Sequence, residues 1–352
     1  MRPDVLADLP SNPLDARADI GELPDIGRHE AGGWLVPAAG ALVIAALPLW
    51  VSPYAQDVVV RIAIYAVFAL SLELLVGATG LVSLGHAAFL GIGAYVTVLA
   101  SGDGGASLWL LVPLAVGAAA AYAVFVGALS LRTRGVYFIM VTLAFAQMAY
   151  FVFHDTQVGG GSDGIFLYVK PTLQLAGATL LDLGEQRHFY YAVLATLVLV
   201  YAFIALLLGS RFGHALAGIR VNEQRMRAAG FSTQPYKLAA FVIAGAIAGL
   251  AGLLLAVKDG GVNPELLSWH TSGEVLLMLI LGGIGSLRGA VIGAAAFTLL
   301  KELFQTEALL GPLASHWQLS LGLTIIAFVA ALPRGLIGLG AIAGRLRGGR
   351  VG

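Results

Sequence analysis

From Trp34 onward the chain alternates long apolar runs with short polar breaks. A hydrocarbon core about 30 Å thick needs around 20 consecutive apolar residues per helix. That rule predicts spans near residues 34–52, 59–77, 81–100, 107–130, 136–153, 190–209, 237–257, 273–284, 289–304 and 318–333. The predicted fold is an all-α polytopic membrane protein of about ten transmembrane helices, with eight or nine as alternatives. The runs at 273–284 and 289–304 are interrupted by Gly282, Gly283, Gly285, Ser286, Arg288 and Gly289. They fit either two spans joined by a tight turn or one broken segment.

Residues 1–33 break the pattern. They carry Asp4, Asp8, Asp15, Asp19, Glu22, Asp25 and Glu30 against Arg2, Arg17 and Arg28, with four prolines. Such a segment buries too little apolar surface to offset its ordering entropy, which predicts a mobile acidic tail. A secretory signal is not expected, because its apolar run follows a basic start at once. The transmembrane domain is then expected over 34–334, with a basic tail over 335–352.

Composition strengthens the membrane reading. The chain is 59% hydrophobic and 11% charged, with a mean hydropathy of +0.87, whereas soluble domains carry about a quarter charged residues. Its 46 glycines are about twice the usual share, and transmembrane helices are richer in Gly than soluble ones. Charges of the two signs balance at 20 each, which offers nothing to nucleic acid. Absence of Cys excludes a disulfide scaffold, thiolate metal sites and thiol catalysis.

Orientation follows from the basic residues, which cytoplasmic loops retain. With the N-terminus inside, one side collects Arg2, Arg17, Arg28, Arg132, Arg134, Arg211, Arg220, Arg225, Arg227, Lys237, Arg288, Arg334, Arg345, Arg347 and Arg350. Left over are Arg61, Lys170, Arg187, Lys258 and Lys301. Both termini are therefore expected in the cytoplasm. The longest cytoplasmic connection is 210–230. Read as one helix from about Ala215 to Ala229, it places Leu216, Ile219 and Met226 on one side and Arg220, Glu223, Gln224 and Arg227 on the other. Glu223 and Arg227 form an i, i+4 pair in the favourable order, and Gly230 supplies the stop. Periodicity fits equally a helix in a partner's groove and one lying on anionic lipid.

Catalytic chemistry finds little support. Gly160-Gly-Ser-Asp-Gly164 matches the serine-nucleophile pattern, but that motif needs a strand-to-helix elbow with Asp and His behind it. In a Gly-rich loop between spans it reads as a turn whose amides, Ser162 and Asp163 face an incoming ligand. The seven histidines show no metalloprotease spacing, and no phosphate-cradling G-x-x-x-x-G-K-[ST] occurs, so no cofactor is expected. Glu73, His86 and Glu274 lie within or near apolar runs, where ionisable groups are costly and face a cavity or another helix. Ser83, Gly85, Gly91 and Gly93 around His86 permit close packing or a local break exposing backbone to a pathway. Gly245/Gly249 and Gly285/Gly289/Gly293 read as helix–helix seams.

Four stretches together resemble one family: Ser210–Ala251; Gly80-Leu-Val-Ser-Leu-Gly-His-Ala-Ala-Phe-Leu-Gly-Ile-Gly-Ala-Tyr95; Arg134–Gln147 with Gly160–Gly164; and Gly273–Gly293, containing Leu281-Gly-Gly-Ile-Gly-Ser-Leu-Arg-Gly-Ala290. They are similar, in order, to LivM-type permease subunits of bacterial branched-chain amino-acid ABC importers. The resemblance implies that 210–230 is a coupling helix docking on an ATPase through Arg220, Glu223, Arg227 and Gly230. It implies two ATPase subunits, a homologous LivH-type permease, a periplasmic or extracellular solute-binding protein and residence in the bacterial inner membrane. Pathway candidates are Glu73, Ser83, His86, Gly91, Gly93, Ser162 and Asp163. The implied cargo is a branched-chain amino acid, although related permeases carry urea or short amides. A secondary transporter, the alternative class, is expected to place more charge at midplane.

Overall fold

The computed structural model describes residues 52–102, 106–175, 178–306, 316–332 and 335–338. The acidic tail, nearly all of the 34–52 run and the basic tail beyond 338 lie outside these residues. The described chain is helical almost throughout: α1 (Pro53–Thr79), α2 (His86–Ser101), α3 (Leu108–Ser130), α4 (Val136–Asp155), α5 (Gln186–Gly209), α6 (Arg211–Val221), α7 (Glu223–Ala228), α8 (Thr233–Asp259), α9 (Trp269–Gly282), α10 (Leu287–Gln305) and α11 (Trp317–Ala331). Four short strands join them: β1 (Ile165–Phe166), β2 (Thr172–Leu175), β3 (Ala178–Asp182) and β4 (Gly261–Val262). The protein is an all-α polytopic membrane protein. Five helices (α1, α3, α4, α5 and α8) are long and apolar enough to cross a membrane, or six if the bent α9–α10 pair counts as one span. The shorter α2 and α11 are apolar too.

Burial separates the centre from the rim. About three quarters of the apolar windows of α1 (72%) and α8 (78%) are buried in the chain, against 22–33% for α3, α4 and α5. A helix apolar all round and covered by neighbours belongs at the core, so α1 and α8 form the axis. Small residues bring the axis together, since lipid offers no hydrophobic drive and close backbone approach must substitute. A Cβ on Gly252 would meet the Leu90 carbonyl, and one on Gly93 the Gly249 carbonyl. The predicted seams are present except at Gly285, which precedes α10 and whose Cβ would meet nothing within 4 Å. Gly245 and Gly249 of α8 face Ala123 and Ala119 of α3, and Gly289 and Gly293 of α10 face the backbone of α9 and of the turn after it.

Two of the predicted spans are broken. α1 ends in a left-handed Gly80 (φ 73°), with Leu81 N–H reaching back to Leu75 O, the usual glycine stop. Residues 81–85 then run without helix, and Ser83 and Gly85 are buried, so α2 starts inside the protein rather than at its edge. α9 and α10 meet at a bend of 115° over Gly283–Ser286. After α11 the chain returns to this elbow, where Leu336 and Ile337 donate N–H groups to Leu281 O and Gly282 O. The carbonyls left bare at the end of α9 are thereby satisfied.

The 210–230 connection departs from the single helix expected. Asn222 leaves helical geometry (φ −156°, ψ 98°), and its side chain accepts from Arg225 N–H at 2.9 Å, restarting the chain as α7. An Asn cap satisfies an orphan donor at the price of the continuous helix. The break turns Arg220 away from Glu223 and Arg227, so these three no longer share a face. Met226 folds back beside Gly218. Gly230 ends α7 as predicted, at φ +87°, with Phe231 N–H donating to Met226 O.

Among the described residues, strands occur only in connections. β1 pairs antiparallel with β4 (Ile165↔Val262, Phe166↔Gly261), tying the loop after α4 to the loop after α8. β2 and β3 form a hairpin. The all-helical expectation omitted it, although Thr-Leu-Gln-Leu and Ala-Thr-Leu-Leu flanking Gly177 carry a hairpin pattern.

Candidate functional site

The site is built where both helix breaks meet α1. Glu73, two turns before the end of α1, is buried, and its Oε1 accepts the Gly285 N–H of the α9–α10 elbow at 2.7 Å. Gly285 can offer that amide because it holds φ +95°, a conformation favouring glycine. The Glu73 Oε2 atom is buried with no hydrogen-bond partner. Arg220 reaches in from α6 and donates through Nη1 to the Gly77 carbonyl, with its charge in electrostatic range of Glu73. A cation at the last carbonyls of a helix is favoured by the helix dipole. One end of α1 is thus gripped by α6 on one side and by the elbow on the other.

About half a turn before Glu73, at Ser71, the α2 break closes on the same helix. Ser71 donates its hydroxyl to Phe68 O at 2.6 Å and meets His86 Nε2 at 2.8 Å. Since the Ser71 hydrogen is committed to the carbonyl, Nε2 must carry the ring proton. Nδ1 is then a bare acceptor, buried and unpartnered. The ring lies between Phe68, stacked at 5.5 Å, and the edge contact of Phe89. Ser272 of α9 accepts the Ala87 N–H at 2.9 Å, so α9 caps the first turn of α2. Ser83 is buried and accepts from Gly85 N–H at 3.3 Å. A Cβ on Gly85 would strike the Thr142 carbonyl of α4.

The other predicted site residues divide. Gly91 sits against the Leu267 side chain and Gly93 against Gly249; both set the approach of α2 to its neighbours. Ser162 and Asp163 are exposed in a 3₁₀ turn, with Ser162 Oγ donating to Asp163 Oδ1 at 3.3 Å. Their loop reaches the core through Tyr95, whose hydroxyl donates to Gly159 O at 3.4 Å. Among the described residues, no group of three or more His, Asp or Glu is placed to hold a metal.

Glu223 is the hub of the α7 connection rather than half of a surface pair. Oε1 takes Arg227 Nη2 at 2.6 Å and the Thr233 hydroxyl at 2.9 Å, while Oε2 takes Lys237 Nζ at 2.7 Å. Burial pushes its carboxyl up, but the donors Lys237, Thr233 and Arg227 together outweigh that and hold it down at about 2, against an ordinary 4.5. A carboxyl depressed on folding contributes stability that is full above the unfolded value and lost as pH falls through the folded one. Wild type should therefore lose thermal stability more steeply than Glu223→Gln as pH drops from about 5 to about 3. Equal slopes in detergent-solubilised protein would remove Glu223 from this role. Periodicity found the Glu223–Arg227 pair but had no means of seeing Thr233 and Lys237 close around it.

Comparison with known proteins adds a family. Residues 54–332 match the family described as branched-chain amino acid transport system / permease component. The chain is 32% identical over 316 residues to the high-affinity branched-chain amino acid transport system permease protein LivM of Salmonella typhimurium, covering 84% of this chain and 73% of that protein. It is likewise 32% identical over 317 residues to LivM of Escherichia coli K12, with the same coverage. The high-affinity branched-chain amino acid transport system permease protein LivH of Escherichia coli K12 is 25% identical over 254 residues, 68% of this chain and 81% of that one. No solved structure matches.

Proposed function

This chain belongs to the family of branched-chain amino acid transport permease components, and from that premise we propose that it passes branched-chain amino acids across a bacterial cytoplasmic membrane as one permease of an ATP-driven importer. It is a transport subunit and not an enzyme; ATP hydrolysis belongs to partner subunits. The reading supplies a LivH-type sister permease, two ATPase subunits and a solute-binding protein. It also sets about ten spans with both termini in the cytoplasm, so the end bearing Arg132, Arg134 and 210–230 faces inward.

The observation that carries the mechanism is the double grip on α1. Motion of α6–α7 on an ATPase reaches α1 through Arg220 and Gly77, and α1 reaches the α9–α10 elbow through Glu73 and Gly285. Broken helices are where membrane transporters place their moving parts. Alternating access then follows as the two breaks, one at Ser83–His86 and one at Gly283–Ser286, shift against α1. Exposed Gln224 and Arg225 remain on α7 for a partner surface.

Two experiments test this reading. Tagged chain should co-purify with an ATPase and a sister permease; leucine uptake by the chain alone in vesicles would instead establish a secondary transporter. Gly230→Val forces a β-branched residue to φ +87°, costing roughly 1–2 kcal/mol of backbone strain, while its Cβ meets nothing within 4 Å. In reconstituted complex, Gly230→Val and Arg227→Ala should keep ATPase turnover and lose uptake. Wild-type coupling in both would place the docking surface elsewhere.

A further inference from the structure

At the end of the bundle opposite Arg220, charges gather that the cytoplasmic rule left over. Arg61 of α1 pairs with Glu302 of α10 at 3.4 Å and with Asp57 at 3.6 Å. Lys301 pairs with Glu274 of α9 at 2.7 Å and lies 5.4 Å from the Trp317 ring of α11. Lys258 of α8 reaches Asp57 at 3.2 Å and Asp259 at 3.5 Å, and Tyr54 donates to Glu302. The side chains of Asp57, Arg61, Glu274, Lys301 and Glu302 are 27–45% exposed and that of Lys258 7%, and pairs open to solvent to that extent hold one another weakly enough to exchange partners.

Five of these charges line a cavity of about 220 Å³ between α1, α8, α9 and α10, below the roughly 300–1,000 Å³ of drug-sized ligand sites. Arg61 and Lys301 line it against Asp259, Glu274 and Glu302, so its charge balance is negative. Met278 and Phe297 give it an apolar wall. A second, independent feature points into it. Thr298 is 3% exposed, lines the cavity, and its Oγ1 has no hydrogen-bond partner. Threonines elsewhere in these helices behave differently: Thr79, Thr97, Thr196 and Thr324 each donate to the carbonyl four residues back. Helical Thr has that option locally, and a buried hydroxyl left unpaired is costly.

We infer that this cavity is a binding site for a zwitterionic aliphatic amino acid. Its ammonium exchanges into the Glu274 and Glu302 carboxylates, its carboxylate meets Lys301 and Arg61, Thr298 Oγ1 completes the polar shell, and the side chain rests on Met278 and Phe297. A zwitterion suits a cleft of alternating charge because it replaces partly exposed ion pairs one for one and adds no net charge. The choice of an aliphatic amino acid rests on the transport reading above, under which this end faces outward.

The chain has no cysteine, so Thr298→Cys supplies a single thiol for it. In the assembled complex without binding protein, 2-aminoethyl methanethiosulfonate should label that thiol. L-Leucine at ten times its dissociation constant should slow labelling about tenfold by mass action. 4-Methylpentanoate, the same skeleton without the ammonium, should leave the rate unchanged. Met278→Cys reports the same cavity from α9 if Thr298→Cys does not fold. Labelling unaffected by leucine, equal protection by 4-methylpentanoate, or no labelling at either position overturns the site. Leucine uptake by wild-type complex in the same membranes then confines that failure to the cavity and leaves the transport reading standing.

Discussion

Arg220→Ala is expected to insert and assemble with its partners yet to lose roughly ten- to a hundredfold in leucine uptake per ATP hydrolysed. Arg220 carries the polar contact between α6 and the end of α1 at Gly77, and a Cβ at Gly80 would already touch its stem at 3.4 Å. Truncation strips Gly77 O of its donor and leaves buried Glu73, with its unpartnered Oε2, without the nearby cation. Losing the charged donor of a part-buried hydrogen bond costs roughly 1.5–3 kcal/mol, about one to two decades in an equilibrium. The fold should survive, because Leu216 and Ile219 keep α6 seated by apolar burial. Arg220→Lys should recover part of the coupling, since an ammonium can reach the carbonyl but lacks the planar fork. Uptake and hydrolysis measured together on proteoliposomes decide the matter. Unchanged coupling in Arg220→Ala would sink the relay through α1, as would parallel loss of uptake and assembly.

Gly93→Val should fail earlier, at folding. The Cβ at Gly93 would lie on the Gly249 backbone, and a backbone cannot rotate aside as a side chain can. Overpacking costs about 1–3 kcal/mol where neighbours can yield; here α2 would have to move off α8, the most buried of the long apolar helices. Gly117→Ala is the control: it is also helical, but its Cβ meets nothing within 4 Å and should gain about 0.5–1 kcal/mol of helix propensity. The measurement is the yield of monodisperse protein after extraction in mild detergent. Equal yields from the two variants would mean that α2 and α8 do not cross as described.

Much of this was legible in the residues. Hydropathy placed most of the helices, because each span must satisfy its own backbone in lipid and so leaves a local mark. The seams at Gly245/Gly249 and Gly289/Gly293 were readable for a similar reason: i, i+4 glycines present one flat stripe wherever the helix lies. Gly230 announced the end of α7, as a left-handed stop does from sequence alone.

The helix breaks were only half legible. Gly282–Gly289 gave warning of the elbow, while Ser83 and Gly85 allowed either close packing or a break before His86 and the apolar run around them left the choice open. Hydropathy averages over a window and cannot tell helix from extended chain buried in protein. Asn222 likewise split the 210–230 helix through a cap that periodicity, counting apolar positions, passes over.

By itself the sequence determined what the membrane demands of it: which segments are apolar enough to enter, which glycines allow close packing, which end is basic and which family the chain joins. The tertiary structure alone decided which charges meet. Glu73 with Gly285, Arg220 with Gly77, and Lys301 with Glu274 join residues far apart in the chain, and no local period records such encounters. Lipid acts on each segment separately, whereas a buried polar group must find its partner in another segment, and that depends on how the helices cross.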